Sequence, residues 1–223
     1  MTARSRRRAG APPERKEKGH GVEPTPLPDD GREIVAPANR AAFRAWLAAN
    51  HARSDSIWLV HDKDARRRGG LTYAEAVEEA LCFGWIDSVV RRRDARHYLQ
   101  LFSPRKRRSA WSKINKARVE RLATEGRMAP PGLAKVEAAK VDGSWTLLDG
   151  VEQLVIPPEL GRALGARPVA RRHFEAFPAS VKKALFYWVV SAKRPETREK
   201  RIATIVDKAA ENVRAMFDRP AKR

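Results

Sequence analysis

Apolar residues follow two different rhythms along the chain, and the change of rhythm divides it. Asn39 can cap a helix whose Phe43, Trp46 and Leu47 recur at i, i+3 and i+4 and form one apolar face. Ser56 to His61 then reads as a strand. Its Trp58 and Val60 lie on one side and Ile57 and Leu59 on the other, which predicts cover on both faces. After a charged loop, Arg66 to Gly70, the pair Thr72 and Glu75 supplies the T-x-x-E capping box of a second helix, with Gly84 as its C′ residue. Ala74, Val77 and Leu81 line one face of that helix, and Ala80, Cys82 and Phe83 widen it near the end, so the helix is expected at the centre of the core. Trp85 to Val90 and His97 to Phe102 are β-prone runs separated by Arg91 to Arg96, a hairpin with a basic tip.

From Ser109 onward the spacing turns helical. Ser109 or Ser112 can cap a helix carrying Trp111, Ile114, Val119 and Leu122 as far as Gly126, and Pro131 opens another through Leu133, Val136 and Ala139. Trp145 to Ile156 is a connector. A short helix over Pro158 to Gly165 precedes three more, over 168–177, 180–192 and 195–217. The last two are marked by Ala184, Leu185, Trp188 and Val189, then by Ile202, Ile205, Val206, Ala209, Val213 and Phe217. The fold class is α+β: a small, mostly antiparallel sheet packed with helices in the N-terminal half, and a helical C-terminal half. Residues 1–32 are expected to be a disordered basic, Pro-rich tail, because Arg, Pro and Gly with few large apolar side chains cannot offset the entropy of ordering. An α/β part over 33–127, a connecting helix and linker over 128–157, and a helical part over 158–218 complete the division.

Composition narrows the class. A chain of 223 residues can bury a sizeable core without staples. Its single cysteine, Cys82, excludes an internal disulfide and fits a reducing compartment. The basic start leads into no apolar h-region, and no apolar run reaches the ~18 residues of a membrane span, so a soluble cytoplasmic protein is expected. The formal net charge is +19, and residues 91–127 hold 13 Lys and Arg against 3 Asp and Glu. Such a segment suits an anionic partner or nonspecific nucleic acid; an Arg-rich composition bias explains the same excess without one.

Two groups of residues carry candidate chemistry. Tyr73, Trp85, Asp87 and His97 are placed where a helix-to-strand junction could gather them into a ligand pocket, with Cys82 alongside. A lone cysteine in an apolar helix is ordinarily a small buried hydrophobe, and Asp87 ordinarily a partner for an arginine or a backbone cap. Arg105, Lys106, Arg107 and Arg108 before a helix start, with Lys113 and Lys116 just inside it, could clamp phosphates, and Arg91, Arg92 and Arg93 could extend that surface. The five histidines show no metal-ligand spacing, and no phosphate-binding loop, nucleophile elbow or dinucleotide fingerprint occurs, so neither metal nor cofactor nor catalytic residues are assigned.

The stretches ALCFGWID (Ala80 to Asp87), YLQLFSPRKRRSAWSKIN (Tyr98 to Asn115), VERLATEGRMAPPGL (Val119 to Leu133) and AKRPETREKRI (Ala192 to Ile202) closely resemble the YdeI/OmpD-associated, or bacteriocin-protection, proteins. The likeness runs from about Phe43 to Val206. It implies a YdeI-type α/β part, an OmdA-type helical part, and a link to resistance against bacteriocins, antimicrobial peptides or related stress, with no reaction or cofactor established for the type. The Arg/Pro tail and the arginines at 91–93 and 105–108 depart from the common pattern. The expected function is thus non-enzymatic protection through an unknown protein or anionic partner. The alternatives are a nucleic-acid-binding module using residues 91–127, and a small-molecule-binding protein or enzyme with a pocket near Trp85 and Asp87.

Overall fold

The computed structural model describes residues 26–217; residues 1–25 of the expected tail lie outside them. The first half is built on a four-stranded mixed sheet in the order β1-β2-β4-β3. β1 (Glu33–Val35) runs parallel to β2 (Ile57–Asp62), with α1 (Arg40–Asn50) as the crossover between them. β3 (Trp85–Arg92) and β4 (His97–Pro104) form the expected hairpin, and β4 also pairs antiparallel with β2. The short β1 has no counterpart in the sequence reading, because three residues are too few for an alternation to register.

Local chemistry explains the helix limits. The Asn39 side chain accepts from the Ala42 N–H at 3.0 Å, opening α1. The Thr72/Glu75 capping box is complete in both directions and opens α3 (Tyr73–Cys82), which follows the one-turn α2 (Ala65–Arg68). Gly84 takes the left-handed conformation at φ +75° and turns the chain directly from α3 into β3, while its carbonyl accepts the Arg105 N–H at 2.8 Å. α4 (Lys113–Thr124) is capped by Ser112, so Trp111 precedes the helix rather than riding on it, and Ile114 points to solvent at 64 % exposure. The i, i+3 spacing was right for Val119 and Leu122, but Ile114 lies five residues before Val119, about 140° round the helix, and so faces outward. Leu133 of α5 (Pro130–Val141) is likewise exposed.

Helix α3 is the hub of the first core. Its Ala76, Val77, Ala80 and Leu81 are buried among Phe43 and Leu47 of α1 and Ile57, Leu59 and Phe102 of the sheet. Gly132 of α5 lies so close to the end of α3 that a Cβ there would sit 2.2 Å from the Cys82 carbonyl oxygen, and the Ala129 N–H donates to the same oxygen at 3.1 Å. Trp58 is buried on the opposite face of the sheet, beneath Asp30 and the Arg91 guanidinium, so β2 is covered on both sides as its pattern predicted.

A second core lies in the helical half: α7 (Pro158–Gly165), α8 (Pro168–Glu175), α9 (Ala179–Val190) and α10 (Pro195–Ala210), preceded by the one-turn α6 (Asp149–Glu152). Proline occupies the first turn of α7, α8 and α10, where an N–H would have no intrahelical acceptor in any case. Phe174, Leu185, Phe186, Val189, Ile205 and Val206 fill this core. α10 ends at Ala210 rather than 217 although Val213 and Phe217 continue the apolar spacing: Asn212 takes the left-handed conformation at φ +57°, the Val213 N–H returns to the Lys208 carbonyl at 2.8 Å, and Phe217 is exposed. The two halves are joined by the connector: Trp145 packs on Trp111 at 5.0 Å, Lys116 pairs with Asp149 at 2.6 Å, and Lys183 with Glu152 at 2.8 Å. Among the described residues no helix is long and apolar enough to cross a membrane.

The fully buried Glu79 of α3 receives Arg40 at 2.6 Å, Arg44 at 2.7 Å and Arg127. Glu79→Gln leaves three guanidinium groups without their shared anion, and should cost roughly 3 kcal/mol, the lower end for breaking a buried pair because the arginines themselves reach solvent. Urea unfolding measures this; an unchanged midpoint would show that the network contributes nothing.

Candidate functional site

Of the four residues expected to share a pocket, the fold brings together two. The Tyr73 hydroxyl donates to Asp87 Oδ2 at 3.0 Å, and Gln100 Nε2 donates to the same oxygen at 2.7 Å. Burial and the adjacent Asp87 charge both push the Tyr73 phenol above its ordinary pKa, so it stays protonated as a donor. Trp85 is turned into the core, its indole N–H on the His51 carbonyl at 3.2 Å and its ring against Trp46. His97 sits at the hairpin end, held 3.1 Å from Asp94, and opens onto a separate cavity of about 290 Å³ shared with Asp62 and Arg96. Trp85 and His97 begin opposite ends of the two strands, and antiparallel pairing sets them apart: Trp85 pairs with Pro104, and His97 with Asp62.

In their place the register supplies Gln100, together with His61 stacked on Tyr98 at 4.8 Å. The signal was a polar residue at an inward position of each strand: Gln100 within YLQLF and His61 ending IWLVH. His61 is 1 % exposed, neither ring nitrogen has a hydrogen-bond partner, and burial pulls its pKa down to about 4. It is a neutral imidazole rather than a poised base. Cys82 is fully buried, and burial, followed by the Glu79 charge, raises its thiol pKa, so no thiolate forms near neutrality.

The basic residues divide by the same geometry. Arg91, Arg92 and Arg93 are near the tip of the hairpin and Arg105 to Arg108 beyond its base, separated by the eight-residue strands, roughly 20 Å at about 3.3 Å per residue. Arg91 covers Trp58, Arg93 lies 3.8 Å from Asp94, and Lys116 is paired with Asp149. The segment is therefore not one continuous basic face.

The residues at the base do converge. Arg105 is 4 % exposed; it donates to the Ala110 carbonyl at 2.8 Å, lies 3.7 Å over the Trp111 ring, and its pKa is lowered to about 10 by burial, against the opposing Asp87 charge. Lys106, Arg107 and Arg108 follow it along the rim of a cleft of about 700 Å³ where the two halves meet. Ile86 and Ser103 contribute from the sheet, Asp142, Gly143, Ser144 and Leu147 from the connector, and Tyr187, Val190 and Lys193 from the helical half. Sequence reasoning missed this second wall, because nothing local to 187–193 signals that a cleft closes there. Among the described residues no three His, Cys, Asp or Glu side chains gather into a potential metal site.

Residues 153–212 match the family described as Bacteriocin-protection, YdeI or OmpD-Associated. Residues 35–135 match a separate family, a domain of unknown function (DUF8412). The helical half is thus the part in which the resemblance drawn from the motifs is shown. No curated protein and no solved structure gives a significant match.

Because the His61 pKa falls below its unfolded value near 6.5, the neutral ring stabilises the fold above that pH, and the contribution is lost as pH falls toward 4. Between pH 7 and pH 4 the wild type should lose about 3 kcal/mol more than a His61→Phe variant. Denaturant titrations at both pH values measure the difference, and equal losses would contradict a buried neutral imidazole.

Proposed function

We propose, from the premise that its helical half belongs to the Bacteriocin-protection, YdeI or OmpD-Associated family, that this chain protects against bacteriocins, antimicrobial peptides or related stress by binding rather than by turnover. The observation that carries this reading is the cleft of about 700 Å³ between the halves, a size within the ~300–1,000 Å³ usual for small-molecule sites. The reactive side chains lie elsewhere and are occupied: Cys82 is sealed in the core, and Tyr73 and Gln100 are both spent on Asp87. The lone buried thiol fits a reducing compartment, which supports the cytoplasm as the place of action.

The sign of the rim selects among protective mechanisms. Lys106, Arg107, Arg108 and Lys193 would repel a cationic peptide, so direct sequestration is disfavoured and an anionic ligand or partner is favoured. A continuous nucleic-acid track is less well supported, since the arginines split to opposite ends of the hairpin.

A strain lacking the gene should be sensitised to a panel of bacteriocins and cationic peptides, and the wild-type gene should restore resistance. The double charge reversal Arg107→Glu with Lys193→Glu should fail to restore it, whereas Cys82→Ala should succeed. A folded charge-reversed protein that protects as well as wild type would remove the cleft from the function.

A further inference from the structure

A smaller cavity of about 210 Å³ opens behind the loop that follows β4, and its wall is unusual in charge. Arg105, Lys106, Arg107, Arg108 and Lys135 line it against one carboxylate, Asp142. That carboxylate is turned to backbone: it accepts the Arg108 N–H at 3.1 Å through one oxygen and the Ser144 N–H at 3.0 Å through the other. Among the described residues none of these five cations has a carboxylate within ion-pair distance, although the Arg108 charge bears on Asp142, whereas Arg40, Arg44, Arg96, Arg121 and Arg127 are all paired. Like charges drawn around a small volume repel one another; Lys106, Arg107 and Arg108 are exposed and screened by water, Arg105 is buried, and an anion among them would relieve the repulsion.

Two further observations point to a ligand. Arg105 and Ser144 are each 4 % exposed; Arg105 Nε is a buried donor with no protein acceptor, whereas the Ser144 hydroxyl is turned to Asp142 and helps hold that carboxyl below its ordinary pKa. An unsatisfied buried donor costs on folding unless something outside the chain accepts from it. Arg105 is also fixed in advance, by the Ala110 carbonyl on one side and the Trp111 ring below. The loop is held in shape by Arg108 at φ +58°, a left-handed conformation that a non-glycine residue keeps only under restraint; here the restraint is the Asp142 bond.

Arg107, Arg108, Ser109 and Ser144 also line the larger cleft, so the recess and the cleft are continuous. The far wall of the cleft is apolar, with Leu147, Tyr187 and Val190, and Tyr187 is half-exposed. We infer that the recess is an anchor for the phosphate of a small organic phosphate monoester, whose carbon skeleton lies in the cleft against Leu147 and Tyr187. The inference rests on the cleft being the binding site, and names the chemical class of what it takes. The concave recess suits a terminal phosphate with three free oxygens; a polynucleotide would need the basic residues in a line, and they are not.

Isothermal titration of the full chain in chloride buffer, at constant ionic strength, tests this with inorganic phosphate, phenyl phosphate and a single-stranded dodecanucleotide. Both phosphates should bind one to one, with phenyl phosphate at least tenfold tighter. Arg107→Ser with Lys135→Gln should weaken both at least tenfold, Ser144→Ala should weaken both less, and Tyr187→Ala should weaken phenyl phosphate alone; circular dichroism confirms that each variant is folded. Absence of saturable heat from either phosphate overturns the inference, as does binding that the double variant leaves untouched, or oligonucleotide binding that phenyl phosphate does not displace. If phosphate binding fails while the charge-reversed cleft still abolishes protection, only the ligand class falls. Phosphate binding that survives alongside full protection by that charge-reversed protein removes the protective reading instead.

Discussion

Everything in the sheet-bearing half is referred to one buried carboxylate. Glu79 sits in the middle of α3 with no exposure to water, and both of its oxygens are taken by arginines from elsewhere in the chain, Arg40 and Arg44 on α1 and Arg127 on the turn into α5. Arg44 further donates to the Arg127 carbonyl at 2.8 Å, and Arg40 reaches Glu78 at 2.8 Å, so the network closes on itself. An ion pair of this kind need not be more stable than a well-packed apolar substitute. What it enforces is simultaneity: α1, α3 and the start of α5 must be in register together, since any one of them missing leaves charge stranded beside the core.

With α3 fixed, the geometry downstream has little freedom. Its last turn is pressed against the first turn of α5 at Gly132, and its end is turned by Gly84, whose carbonyl holds the backbone of Arg105. The residue that opens the basic loop is thus tied to the residue that ends the central helix. Trp111, under the Arg105 guanidinium, packs on Trp145, and the connector carrying Trp145 leads to Val151 in the second core. A chain of direct contacts therefore runs from the Glu79 network through the recess to the helical half. The cleft lies where that chain crosses from one core to the other.

How much of this could be read in the sequence depended on the range of the interaction. Local signals were read correctly: the Asn39 cap, the Thr72/Glu75 box, the turn at Gly84 and the limits of α7 each depend on residues within a few positions of one another. Side-chain facing was read correctly for Val119 and Leu122, and misread for Ile114 and Leu133, which lie on outward faces of α4 and α5. Of the proposed pocket, Tyr73 and Asp87 met because one opens the central helix and the other lies on the strand that follows it, whereas Trp85 and His97 were assigned by proximity in sequence to a place that antiparallel pairing denies them. The cations at 105–108 were legible as a cluster. That Arg105 among them is buried, and that Tyr187 and Lys193 face the same cleft, follows only from how the two cores dock.

The division of the basic residues bears most directly on function. Summed along the sequence, residues 91–127 suggest a single polyanion-binding surface, but folding distributes their charge by role. Arg96, Arg121 and Arg127 are neutralised by carboxylates, and Arg91 is laid over Trp58. What remains uncompensated at the base of the hairpin is small, concave and pre-shaped, with a buried guanidinium at its back. Long-range attraction to any polyanion falls off within ~8 Å at physiological salt, whereas the buried Arg105 guanidinium at the back of the recess is screened less. The net charge of +19 therefore bears on what the protein is drawn toward, whereas selectivity among anions resides in the few groups around Arg105 that no part of the chain itself satisfies.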